Sequence, residues 1–206
     1  MRDVENVKIV TISGPQGCGK GSMIAAVEKL NFDAGRHVFY YDPFKVSRSV
    51  QEKLGYATLQ EATSTFEKMV EFQDLILEEK KSSLLELKKY VRTSIIMTER
   101  SFIDIAAYFE LWLAKQGQDT SQSWVQKYFE KCYEFQNEIV EECVIIPMMA
   151  HVQPQIDVRR ADFADVDAFY EMFIRHLSIS GAKARFITEE TIEGRANQFV
   201  SFYGGF

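Results

Sequence analysis

The sequence predicts a single α/β domain, built on a five-stranded, mainly parallel sheet with helices on both faces. Three observations carry that prediction. Short apolar runs rich in β-branched residues alternate with longer stretches of helical periodicity along the 206 residues, and runs so short and apolar fit strands buried on both faces. A glycine cluster follows the first run directly, at a junction where conformational freedom has a use. No repeat, low-complexity tract or Pro/Gly/Ser-rich linker interrupts the alternation, so residues 1–206 read as one domain.

Each element has its own local reason. Val7 to Ser13 (VKIVTIS) is a buried strand. Lys20 to about Asp33 is a helix with Ile24, Ala25, Val27 and Leu30 on its inward stripe, and Gly35 stands just past its end, where glycine stops helices. HVFYYD, from His37 to Asp42, is a second strand ended by Pro43. Leu59 to Tyr90 is charged but periodic, with Phe66, Met69, Val70, Phe72, Leu75, Ile76 and Leu77 among its apolar positions, and makes one or two helices. SIIMTE (Ser94 to Glu99) is the third strand, followed by helical FIDIAAYFELWLAK. Trp124 to Glu142 is amphipathic helix, CVIIPMM (Cys143 to Met149) the fourth strand, ARFIT (Ala184 to Thr188) the fifth, and Glu189 to Phe202 the last helix.

Composition bounds the function. A content of 46% apolar and 26% charged residues is that of an ordinary globular chain with a substantial core. The net charge of −6 argues against stable nucleic-acid binding, whose footprint is basic, while leaving room for a local basic pocket. Cys18, Cys132 and Cys143 are odd in number and lack metal-ligand spacing, which fits a reduced, cytoplasmic setting. No apolar stretch reaches membrane-spanning length, and MRDVENVKIV lacks the form of a signal peptide, so no membrane partner is expected.

GPQGCGKGS is the most informative stretch: Gly14, Pro15, Gln16, Gly17, Cys18, Gly19, Lys20, Gly21 and Ser22. It sits between a strand and a helix, where backbone N–H groups and the helix's positive end converge on an anion. Glycines let the backbone approach phosphates, and a lysine at position 20 reaches the β- and γ-phosphates. Gly14, Gly19 and Lys20 fit G-x-x-x-x-G-K-[ST], but Gly21 takes the hydroxyl position and Ser22 follows it. The stretch points to a bound nucleoside triphosphate and says nothing of what is done with it.

Three further stretches fall where open α/β sheets place their ligand groups. Asp42 ends the second strand and could accept a proton from an attacking hydroxyl, or simply form an Asp-Pro turn. Glu99 and Arg100 end the third strand: Arg100 suits an anionic substrate, and Glu99 suits Mg²⁺, directly or through water, unless the two only cap the next helix. Arg159 and Arg160, in DVRRADFAD, could close over a transferring phosphate or belong to a solvated surface. His37, His151 and His176 form no evident metal set, and Trp112, Trp124, Phe129 and Tyr133 read as core or dimer surface rather than a base-stacking platform. Phosphoryl transfer needs no nucleophile from Cys18.

Taken in order, these residues resemble the small P-loop kinases of nucleosides and nucleotides: deoxynucleoside kinases, thymidylate kinase and ribosylnicotinamide-kinase-like ATPases, several of them carried by large bacterial viruses. GPQGCGKGS resembles their phosphate loop, in the GKGT form of adenylate kinase, where the hydroxyl after the glycine meets Mg²⁺; that places Ser22 at the metal. Asp42-Pro43 resembles the acid-proline pair that carries the base in deoxynucleoside kinases. Phe72-Gln73 is similar to the Phe-Gln that packs on and hydrogen-bonds the nucleobase, and Thr98 to Ser101 to their Glu-Arg-Ser. Arg159-Arg160 is similar to the arginine-bearing lid, about residues 151–180. The resemblance implies ATP and Mg²⁺ as cofactors, a nucleoside or nucleotide as substrate, supply of nucleotide precursors as the purpose, and a homodimer paired through long helices.

The sequence also departs from that pattern. Deoxynucleoside kinases usually carry Ser or Thr directly after the loop lysine, Asp42 is shorter than their usual glutamate, and the lid matches either branch only in part. The acceptor, nucleoside hydroxyl or monophosphate, stays open. The rival class is a P-loop ATPase coupling hydrolysis to assembly or movement; against it stand the lack of a second module and of a basic surface. A regulatory nucleotide-binding module would leave Asp42 and Arg100 without a task.

Overall fold

In the computed structural model, residues 7–35, 38–148 and 163–204 are described. β1 (Lys8–Ser13) lies at the centre of a five-stranded sheet, between β3 (Ile95–Glu99) and β4 (Glu142–Ile145); β2 (Phe39–Asp42) flanks β3 and β5 (Ala184–Phe186) flanks β4. Every pairing is parallel, as the near-continuous apolar strands predict. In register, Ile12 opposes Glu99 across β1 and β3, and Asp42 opposes Thr98 across β2 and β3. The carboxyl ends of three neighbouring strands therefore share one edge.

Period-two alternation sends neighbouring strand residues to opposite faces. Val10 and Ile12 of β1 and Val144 of β4 join Met23, Ile24 and Val27 of α1 (Lys20–Asp33) and Ala196, Phe199 and Val200 of α8 (Ile192–Ser201) in one core cluster. Cys143 and Ile145 of β4 turn the other way, onto Ile103 and Ala107 of α5 (Phe102–Lys115) and Phe169, Phe173 and Leu177 of α7 (Phe163–Ser180). α6 (Ser123–Ile139) packs on α5 and α7. Phe109, Tyr128 and Phe129 form an edge-to-face group in the core, with the half-buried Trp124 beside it.

By contacts the chain divides into two compact units, one of residues 1–42 and 91–206 with the sheet, the other of residues 43–90. The second is helical: α2 (Val46–Lys53), α3 (Leu59–Ala62) and α4 (Phe66–Tyr90). Ser49 and Lys53 of α2 reach Glu79 of α4 at 3.3 and 2.5 Å.

Several expectations need correction. The first helix buries Met23, whereas Ala25 is exposed. α2 was not foreseen, because VSRSVQEK is polar and buries only Val50. Leu59 to Tyr90 is two helices, one of the two counts expected. The sixth helix ends at Ile139, earlier than expected, since Val140 is extended and Glu142 already pairs with Val10 in the sheet. β4 stops at Ile145 rather than Met149: Ile146 still donates to Ser13 O at 2.9 Å, but Pro147 has no N–H to continue the ladder. β5 ends at Phe186, two residues short of Thr188, although Ile187 N still donates to Ile145 O at 2.9 Å. β2 begins at Phe39, and His37 lies outside the described residues.

Candidate functional site

The loop after β1 is shaped by its glycines. Gly14, Gly17 and Gly19 have φ of 139°, 83° and 92°, conformations that side chains rarely adopt. At Gly14 space forbids a side chain as well, since a Cβ would stand 2.2 Å from the Ile146 carbonyl oxygen. Pro15 and Cys18 are buried, Gln16 and Gly17 exposed, and Cys18 N donates to Pro15 O at 3.5 Å. Gly19 caps α1 without any side-chain bond, and no acid occupies the helix's first turn. The positive end of α1 thus faces the loop with no acid of its own in the first turn, which suits an anion site.

Lys20 bends back across the loop. Its Nζ donates to Gly14 O at 2.9 Å and Pro15 O at 2.7 Å and lies 3.5 Å from Cys18 Sγ. The ammonium is buried, and that burial, reinforced by the Arg100 charge, holds its pKa below the ordinary lysine value.

Arg100 comes to the same place from β3. Its Nη1 donates to Gly14 O at 2.7 Å and to Asp104 Oδ1 at 3.0 Å, and its guanidinium lies over the rings of Tyr108 and Phe169. Two cations therefore converge on one carbonyl of the loop. Arg100 is also the one non-glycine residue with positive φ among the described residues, at 67°. Such backbone strain costs about 1–3 kcal/mol and persists where surroundings over-determine it.

Asp104 does much of that determining. It is fully buried on the first turn of α5, where its Oδ2 accepts from Ser13 Oγ at 2.6 Å and from Ser101 N and Oγ at 2.7 Å each, while Ser101 Oγ accepts from Asp104 N. One carboxylate joins the end of β1, the cap of α5 and Arg100. Sequence reasoning missed it, although Ser-x-x-Asp at 101–104 is a readable capping-box signal.

Glu99 accepts from Tyr41 OH at 3.0 Å, and its Oε1 lies 4.0 Å from where a Cβ on Gly21 would stand. Gly21 thus stands beside the carboxylate, and Ser22, the next residue, is exposed. One carboxylate from the end of β3, beside the first turn of α1, fits Mg²⁺, which commonly takes one or two carboxylates plus substrate phosphates and water. Among the described residues no cluster of three or more metal-ligating side chains occurs.

Asp42 is buried at the carboxyl end of β2, one strand from Glu99 and two from the loop. Phe72 and Gln73 are buried on α4 of the helical unit, with Gln73 Nε2 3.7 Å from Met69 Sδ. Arg159 and Arg160 lie outside the described residues, as does His151. No helix among the described residues is long and apolar enough to cross a membrane.

Comparison with known proteins bears on the family and the fold. A family profile described as an AAA domain matches residues 9–195. The NadR protein solved in complex with NR superposes with a TM-score of 0.62 at 14% identity, over 97% of this chain and 52% of that one. This chain thus spans about half of the NadR protein's length. Thymidylate kinase from Ehrlichia chaffeensis superposes with a TM-score of 0.55 at 15% identity, over 96% of this chain and 99% of that one. No curated protein sequence matches. The likenesses are structural, and the architecture they share is the α/β P-loop kinase-like fold.

Proposed function

The chain belongs to the AAA domain family, and from that premise we propose that it is an ATP- and Mg²⁺-dependent phosphotransferase acting on a nucleoside or nucleoside monophosphate. One observation carries the reading: Lys20 at the start of α1 and Arg100 just after β3 both donate to Gly14 O in a glycine loop facing the N-terminal end of α1. A triphosphate entering that loop meets two fixed cations and a row of backbone donors. Lys20 exchanges its carbonyl partners for β- and γ-phosphate oxygens, and Glu99 with Ser22 would hold the magnesium ion.

Arg100 then offsets charge on the transferring group, which is where electrostatic catalysis acts most strongly. Asp42, on the same sheet edge, accepts the proton of an attacking hydroxyl. If the acceptor is a monophosphate, no base is needed and positioning suffices. Phe72 and Gln73 are the proposed base contacts, and Arg159 and Arg160 the lid cations. The structural neighbours support this class, since one is a thymidylate kinase and the other was solved with NR bound. A reduced cytoplasmic setting agrees with three cysteines, none in a disulfide. The long α4 is the proposed homodimer surface.

The test is direct. Purified protein with ATP·Mg²⁺ is given a panel of nucleosides and monophosphates, and ADP release is followed. Release that depends on one acceptor class supports the proposal. Release of equal rate without any acceptor identifies the rival, a P-loop ATPase.

A further inference from the structure

Arginine is among the residues least often fully buried, yet Arg195 on α8 is 1% exposed. Its place follows from the helix's amphipathic pattern: Ala196, Phe199 and Val200 beside it face the sheet. Nε donates to Glu189 O at 2.9 Å and Nη1 to Cys18 O at 2.7 Å. Nη2 is buried without a partner, and no carboxylate pairs with the guanidinium among the described residues. A buried cation held only by two carbonyls is costly, so a compensating role is expected.

Cys18 O belongs to the phosphate loop, 177 residues away in sequence. In a planar trans peptide the N–H points opposite to the C=O. Arg195, by drawing the Cys18 carbonyl toward α8, fixes the Gly19 N–H in the opposite direction. Gly19 gives this peptide unusual freedom to rotate, and the guanidinium removes it. Gly19 has to be glycine for a second reason, since a Cβ there would lie 3.0 Å from Arg195 Nη1.

We propose that Arg195 is a positioning residue of the phosphate loop: it clamps the Cys18–Gly19 peptide from α8 so that the Gly19 N–H is held for a polyphosphate, whose negative charge compensates the buried guanidinium. The proposal rests on the nucleotide-site reading above. It assigns to the C-terminal helix a share of nucleotide affinity without any contact to base or ribose.

The test is calorimetric binding of two probes, ADP and inorganic tripolyphosphate, each with Mg²⁺, to wild type, R195M, R195K and K20M. R195M is expected to weaken both probes by the same factor, about 10–100-fold for the loss of a charge-assisted hydrogen bond. In turnover its KM for ATP rises more than kcat falls. R195K keeps the charge but cannot hold both carbonyls, and should recover part of the loss. If R195M does not fold, R195K carries the test, with weakening of both probes expected. Undiminished binding in the folded variant overturns the proposal, and so does a loss for ADP without a loss for tripolyphosphate, which would make Arg195 a base or ribose contact. Failure of wild type to bind either probe, with K20M indistinguishable from it, overturns the nucleotide-site reading and this proposal together.

Discussion

Replacing Asp104 by asparagine tests how the site is held together. The side chain keeps its shape, but one carboxylate oxygen becomes an NH₂. Oδ2 now takes three donors, from Ser13 Oγ and from Ser101 N and Oγ, while Oδ1 takes Arg100 Nη1. Whichever way the amide turns, a donor faces a donor: Arg100 on one side, or the two serines on the other. The Asp104 side chain is 1% exposed and that of Arg100 27%, so water relieves little of the conflict.

Breaking a buried pair from one side typically costs about 3–5 kcal/mol. For a chain of this size that lowers Tm by roughly 6–20 °C. Urea unfolding of wild type, D104N, R100M and the double variant gives the coupling directly, because R100M removes the cation that D104N strands. A D104N loss below about 0.5 kcal/mol, within the range of an ordinary surface change, would refute the claim that Asp104 anchors the loop edge.

Four further outcomes follow from the geometry. K20M should abolish the Tm rise that ADP·Mg²⁺ gives the wild type while leaving the fold intact by circular dichroism. Because burial lowers the Lys20 pKa, nucleotide affinity should fall as pH climbs through the window between that lowered value and 10.5; in the same window the unliganded protein gains stability, since the unfolded chain binds more protons there. Asp42→Asn should reduce kcat about 10²–10⁴-fold with a nucleoside acceptor, with little change in ATP affinity, as steady-state kinetics will read. Glu110 pairs with Arg175, and its Oε2 lies 2.9 Å from His176 Nε2. Burial pushes its pKa up, but His176 and Arg175 outweigh it and hold the carboxyl below the ordinary value. It therefore contributes stability above pH 4.5 that is lost as pH falls through its lowered pKa; E110Q should cost about 1–3 kcal/mol at pH 7 and flatten that acid limb in urea titrations.

What could be read from the sequence was local, and what could not was long-range. The parallel sheet and phosphate loop were legible because β-branched runs and glycine spacing are written in consecutive residues. α5 was foreseen with its bounds intact, since FIDIAAYFELWLAK is apolar at helical spacing. α2 escaped because its stability does not lie in an apolar stripe. Arg100 was named as an anion ligand, but its left-handed backbone and its bond to Gly14 O depend on β3 lying beside β1. Asp104 was legible as a cap and illegible as the hub of Ser13 and Arg100. Arg195 left no local trace.

The central position of β1 has a consequence for the nascent chain. Its two neighbours are β3 and β4, and its Thr11 hydroxyl meets a sulfur 132 residues downstream. Loop closure over such spans precedes any gain from pairing, which makes parallel topologies slow to form. At about 5–20 residues per second of synthesis, the first strand waits seconds beside the ribosome with both edges open. Until the last helix emerges, the glycine loop lacks its far brace at Cys18. On the proposed reading, a nucleotide that binds the braced loop would draw the equilibrium toward the folded state by mass action.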